Sequence, residues 1–80
     1  MTEMNFKDIL ANIARAIVDE PDAVQVEETV DGDNVELVLT VAENDTGMVI
    51  GRHGKIAKAI RQLMKAAANT EGKRVTVEIK

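Results

Sequence analysis

Apolar residues recur at intervals of three and four near the start of the chain. Phe6, Ile9, Leu10, Ile13 and Ile17 fall on one face, which predicts an amphipathic helix over residues 5–18. Asn5 is placed to cap it, and Asp8, three residues on, completes a capping pattern. Pro21 should end it, because the residue before a proline is pushed out of the helical region. The period then shortens to two. Val24, Val26 and Val30 alternate with Gln25, Glu27 and Thr29, interrupted by Glu28, and Val35, Leu37, Leu39 and Val41 alternate more cleanly, with Val38 adding apolar surface to the other face. Between the two runs, Asp31-Gly32-Asp33-Asn34 is a tight-turn signal, so they predict a hairpin. The second strand, residues 34–41, is the more apolar and is expected at the sheet centre.

The helical period returns after residue 45. Residues 46–50 predict a short helical turn and residues 55–69 a longer helix. Ile56, Ile60, Leu63 and Ala67 are expected on its buried face with Ala59 and Met64 beside them, and Lys58, Arg61 and Lys65 on the other side. Gly72 stops that pattern. A last strand, residues 73–79, turns Val75, Val77 and Ile79 inward. The expected fold is α+β in the order α-β-β-α-α-β, one domain over residues 1–80. Each strand has one apolar face, so three helices should pack on one side of a three-stranded mixed sheet, with the third strand parallel to the second through a right-handed crossover.

Composition narrows the function classes. The 80 residues are 45% hydrophobic, mostly aliphatic, and Phe6 is the only aromatic. Cysteine is absent, which removes disulfides and thiolate metal sites and fits a reducing cytoplasm. Residues 1–8 are acidic and polar rather than basic and then apolar, so no leader is expected, and no apolar run approaches membrane-spanning length. A cytoplasmic protein without a membrane partner is the expectation. The net charge of −4 argues against a nucleic-acid ligand until its distribution is read. Residues 1–45 carry two basic groups against twelve acidic ones, whereas residues 46–80 carry eight basic groups against Glu71 and Glu78. A polyanion would meet the field of the second half.

The most informative stretch lies in that half: Thr46-Gly47-Met48-Val49-Ile50-Gly51-Arg52-His53-Gly54-Lys55-Ile56. Two glycines between two expected helices permit unusual backbone angles and carry no side chain to block close approach. The longer helix starts just after them, so its first N–H groups form an anion site suited to backbone phosphates. Arg52 and His53 project between the glycines, Lys55 and Lys58 stand nearby, and Ile50 offers an apolar wall for unstacked bases. As a bare string, two glycines three apart can equally be only a turn. The position between a short and a long helix, after an aliphatic pair and in the basic half, favours a binding loop.

Met48-Val49-Ile50-Gly51-Arg52-His53-Gly54-Lys55, followed by Ile60, resembles the signature of KH domains, and the element order resembles the second topological type of that domain. Over nearly the whole chain, including Ala57-Lys58-Ala59-Ile60-Arg61 and Gly72-Lys73-Arg74-Val75, it is similar to the small stand-alone bacterial KH RNA-binding proteins. The resemblance implies binding of short single-stranded RNA, with the loop clamping the backbone of about four nucleotides. It assigns the contacts to Ile50, Gly51, Arg52, His53, Gly54, Lys55, Lys58 and Arg61. It also implies a homodimer or a heterodimer with a larger KH-containing RNA-binding protein, and a role in post-transcriptional regulation and, in some bacteria, cell division and cell shape. One departure is Ala57, where the family often has a bulky isoleucine; Ile56 or Ile60 would have to fill that space.

The remaining chemistry points away from catalysis. His53 is the only histidine, serine is absent, and the acidic residues are expected on turns and strand exteriors, so neither a nucleophile–base pair nor a metal site is expected, and no cofactor. Met64 is expected in the core. Acyl-phosphate hydrolysis by a small α/β domain would ask for a different element order, β-α-β-β-α-β. The alternative to RNA binding is a protein-interaction or dimerisation module with weak RNA affinity, which the net negative charge and the lack of stacking aromatics would suit.

Overall fold

A computed structural model describes residues 5–80; residues 1–4, the start of the stretch read above for a leader, lie outside the described residues. Helix α1 (Phe6–Ile17) starts where the sequence places its cap: the Asn5 side chain accepts a hydrogen bond from the Asp8 N–H at 2.8 Å. It ends at Val18, which is already extended at φ −85° and ψ 161°, so Pro21 does not terminate it. The proline instead opens a 3-10 turn, Pro21–Ala23, where its fixed φ is an advantage. Strands β1 (Gln25–Asp31) and β2 (Asn34–Thr40) form the expected antiparallel hairpin. Gly32, at φ +61°, supplies the left-handed backbone of its two-residue turn. After helices α2 (Thr46–Ile50) and α3 (Lys55–Asn69), strand β3 (Arg74–Ile79) runs parallel to β2. The sheet order is β1-β2-β3, with β2 in the centre.

The inner face of the sheet is three cross-strand rows: Val26–Leu39–Ile79, Glu28–Leu37–Val77 and Val30–Val35–Val75. Leu37 and Leu39 are fully buried, and the helices cover them through Phe6, Leu10, Ala11 and Ala14 of α1, Val49 of α2, and Ile60, Met64 and Ala68 of α3. Alanines on both long helices let them approach the narrow sheet closely. The outer face is polar except for half-buried Val38 and carries Glu27, Asp31, Glu36 and Glu78 against Arg74 alone.

Three placements differ from the sequence reading. Ile56 and Leu63 are exposed, at 37% and 58%, and Ala57 and Ala68 take core positions instead. The set 56, 60, 63, 67 and the set 57, 60, 64, 68 both advance by helical steps of three and four, so periodicity alone does not choose between them. Close seating against the sheet chooses the one with alanines at both ends. Val30 is 55% exposed, because the hairpin tip runs past the helices into an open depression lined by Phe6, Val35, Glu71 and Lys73. Asp45, placed with the acids on exteriors, is 2% exposed; its Oδ2 accepts from the Glu20 N–H at 3.0 Å and so fastens the loop after α1 to the start of α2.

Candidate nucleic-acid interface

Helix α2 ends at Gly51, whose N–H donates to the Gly47 carbonyl at 2.8 Å. Gly51 itself sits at φ +76°, ψ 172°, a region open essentially to glycine alone. A Cβ there would lie 2.6 Å from Cγ1 and 2.9 Å from Cβ of Ile56. Two independent constraints, backbone angle and space, therefore demand glycine. This is also what Ile56 does: it closes over the back of the loop from the first turn of α3, a role that sequence spacing assigned to the core instead. The bulk missing at Ala57 is not restored in the core by Ile56, which stays exposed, while Ile60 is buried.

Residues Arg52–Gly54 wind as a single 3-10 turn, closed by the Gly54 N–H donating to the Gly51 carbonyl at 3.1 Å and by the Lys55 N–H donating to Arg52. His53, at φ +58° and ψ 24°, is the only non-glycine among the described residues with positive φ. That conformation costs an L-residue roughly 1 kcal/mol, so the turn holds it against its own preference. Gly54 follows at φ +71°, ψ 15°, and then Lys55 is right-handed helical. The turn uses the N–H groups of Gly54 and Lys55 itself as the backbone passes from left-handed to right-handed at the start of α3. Gly54 occupies the N-cap of α3 and no side chain caps that end. An ideal Cβ on Gly54 meets nothing within 4 Å, so the space in front of it is open to a ligand.

Around this loop the structure brings together most of the expected residues. Arg52, His53, Lys55 and Lys58 are exposed at the loop and in the first turn of α3, and Ile50, 38% exposed, lies at the end of α2. Arg61 stands apart. Its Nε donates to the Val77 carbonyl of β3 at 3.2 Å, which holds its guanidinium against the sheet edge. The basic residues of α3 and the loop lie on the helical side, and Glu27, Glu36 and Glu78 lie on the open sheet face. Two surface depressions, one at the hairpin tip and one between α1 and β1, contain none of the expected contacts. The candidate site is a loop and a helix end, not a cavity. Among the described residues no three His, Cys, Asp or Glu side chains come together as metal ligands, and no helix is long and apolar enough to cross a membrane.

Comparison with known proteins gives the family and the fold. Residues 7–79 match the family model described as KhpA/KhpB, KH domain. The chain is 53% identical over 73 residues to RNA-binding protein KhpA of Clostridium acetobutylicum, covering 91% of this chain and 97% of that one. It is 38% identical over 79 residues to RNA-binding protein KhpA of Bacillus subtilis, covering 99% and 98%. Among solved structures, Era in complex with MgGDPNP and nucleotides 1506–1542 of 16S ribosomal RNA superposes with a TM-score of 0.68 at 21% identity. That match covers 92% of this chain and 28% of the Era chain, a likeness of fold.

Proposed function

Since the chain belongs to the KhpA/KhpB family of KH domains, we propose that it binds single-stranded RNA, with the loop Gly51-Arg52-His53-Gly54 clamping the phosphate backbone. The observation that carries the reading is the loop conformation. Two glycines at positive φ, one of them with no room for a Cβ, set an α3 N-terminus that no side chain caps beside the open space in front of Gly54. Arg52, His53, Lys55 and Lys58 add positive charge and donors around that point. Ile50 supplies an apolar contact for a base splayed out of the strand. This chemistry suits a regulator acting on transcripts and needs no reacting group. The test is filter binding of a short single-stranded RNA beside duplex RNA and single-stranded DNA of equal length. Preference for the single-stranded RNA supports the reading; equal or absent binding to all three removes it.

A second reading, self-association or pairing with a related chain, has its own observation. Ile56, Ala59, Leu63 and Ala66 form an exposed apolar stripe along one flank of α3, and Leu63 at 58% is the most exposed large hydrophobic described. Such a stripe is what a second helix would cover. The two readings are compatible, because a dimer presents two loops and raises the avidity of a module that makes few contacts.

A further inference from the structure

Strand β1 is the sheet edge opposite β3, and its ladder with β2 fixes which of its backbone groups are free. The Arg74 N–H donates to the Asp33 carbonyl at 2.8 Å and the Lys80 N–H to the Leu39 carbonyl at 2.9 Å. Strand β2 therefore turns its odd-numbered residues to β3 and its even-numbered ones to β1. Those even-numbered residues pair with Asp31, Thr29, Glu27 and Gln25. The alternate residues Val26, Glu28 and Val30 turn their N–H and C=O groups to the open edge. Among the described residues no backbone hydrogen bond reaches these three from outside the hairpin. Their side chains lie on the helical face of the sheet, where Val26 is buried but Glu28 and Val30 are exposed, Val30 at 55%.

We infer that β1 accepts an extended segment of a partner protein as a fourth strand, and that Glu28 selects one carrying a lysine or arginine between apolar residues. An added strand would lie about 4.8 Å from β1 and satisfy the free groups of all three residues. Its inward side chains would fall opposite Val26, Glu28 and Val30. Apolar ones match the two valines, and the one beside Val30 would enter the depression lined by Phe6, Val35, Glu71 and Lys73. Glu71 and Lys73 are opposite charges, so Glu28 is the charge in excess there and calls for a cation. Lys7 and Arg15 of α1 flank the start of the strand beside Val26, so the cation belongs opposite Glu28 and not at that end.

A second copy of the chain is the wrong occupant. Two β1 strands paired antiparallel about Glu28 would set Val26 against Val30, but also Glu28 against Glu28, and like charges directly opposite are destabilising. An inward-pointing charge on an edge strand deters pairing in general. Here the deterrent is selective, because a glutamate repels an acidic strand, leaves an apolar one with a charge to cover, and attracts a cationic one.

The probe is the capped peptide Thr-Val-Thr-Lys-Thr-Val-Thr, whose symmetric pattern sets its lysine against Glu28 in either strand direction. Its binding to the full chain is followed by chemical-shift titration and amide hydrogen exchange. The same peptide with glutamate for lysine, and the same peptide N-methylated throughout, are run beside it. At saturating peptide the Glu28 and Val30 amides should gain protection, while those of Glu27 and Thr29, already bonded in the hairpin, change little. The N-methylated peptide keeps the side chains but not the donors and should not bind. Glu28→Lys should weaken binding of the lysine peptide by roughly 2- to 20-fold and favour the glutamate peptide, as an opposite-charge pair becomes a like-charge pair. A melting curve checks that the variant is folded; Glu28 is exposed, so it should melt with the parent. No protection at Glu28 and Val30, equal protection by the N-methylated peptide, or an affinity indifferent to Glu28→Lys overturns the assignment. Protection of these two amides in the peptide-free chain also overturns it, because the edge is then covered by the chain itself or by a second copy.

Discussion

At the residue scale the loop is governed by backbone geometry, and the two glycines are not equivalent. Gly51 combines a glycine-only backbone region with a 2.6 Å approach of Ile56 to the missing Cβ. Gly51→Ala should therefore destabilise the protein by about 1–3 kcal/mol and weaken RNA binding, read by thermal melt and filter binding. Gly54 has only its φ to satisfy and open space around it. Asparagine tolerates the left-handed region, so Gly54→Asn should melt within about 1 kcal/mol of the parent and show its defect in RNA binding alone. Changing Arg52 and His53 together to aspartate should abolish RNA binding, because two carboxylates would sit where the phosphates belong. Both residues are exposed, aspartate tolerates the left-handed backbone of His53, and surface changes usually cost under about 0.5 kcal/mol. A folded double variant that binds as well as the parent would remove the loop as the clamp. In the core, Leu37 is fully buried in the middle row of the central strand. Leu37→Ala should cost roughly 2–5 kcal/mol, and a melt with almost no change would contradict its burial.

At the element scale α3 does three jobs on three faces. Ala57, Ile60, Met64 and Ala68 are its buried face, Arg61 reaches the β3 edge while Lys58 and Lys65 are exposed, and Ile56, Ala59, Leu63 and Ala66 also remain exposed. If Arg52, Lys55 and Lys58 are the phosphate contacts, the log–log salt dependence of RNA binding should have a slope of about −2, at roughly −0.7 per contact for a single strand. A slope near zero would mean that this surface is not the one in contact. Which face of α3 lies inward was only half legible in the sequence. Ile60 and Met64 were in the expected set, whereas Leu63 was assigned to the core and lies outside it. Two overlapping apolar stripes that share Ile60 both advance by three and four, and only packing against α1 and the sheet separates them.

At the scale of the whole molecule the charge asymmetry along the chain becomes an asymmetry between faces. The basic second half supplies the loop and α3, and the outer sheet face collects Glu27, Asp31, Glu36 and Glu78. Approach of a polyanion to the sheet side is disfavoured, so the field guides it to the helical side. The exposed stripe of α3 leads to the last expectation. The protein should self-associate, or pair with a related chain, at micromolar concentration, and Leu63→Lys should shift it toward monomer in light scattering. Monomer mass for the parent at high concentration, with no heteromer in a pull-down, would contradict this.

The sequence alone determined what depends on neighbours along the chain. Helix and strand periods, the Asn5 cap, the Gly32 turn and the order α-β-β-α-α-β are local, and they were legible because the competing conformations are excluded residue by residue. The location of the glycine loop was legible too, since two glycines between helices are a local signal. The tertiary structure decided what depends on contacts distant in sequence. The burial of Asp45 needs the Glu20 N–H, 25 residues earlier. The demand for glycine at position 51 needs Ile56 folded back over it. The difference between Arg61 and its neighbouring lysines needs the Val77 carbonyl on a strand edge 16 residues later. None of these follows from spacing, because each is set by which backbone group the fold brings within hydrogen-bond or van der Waals reach.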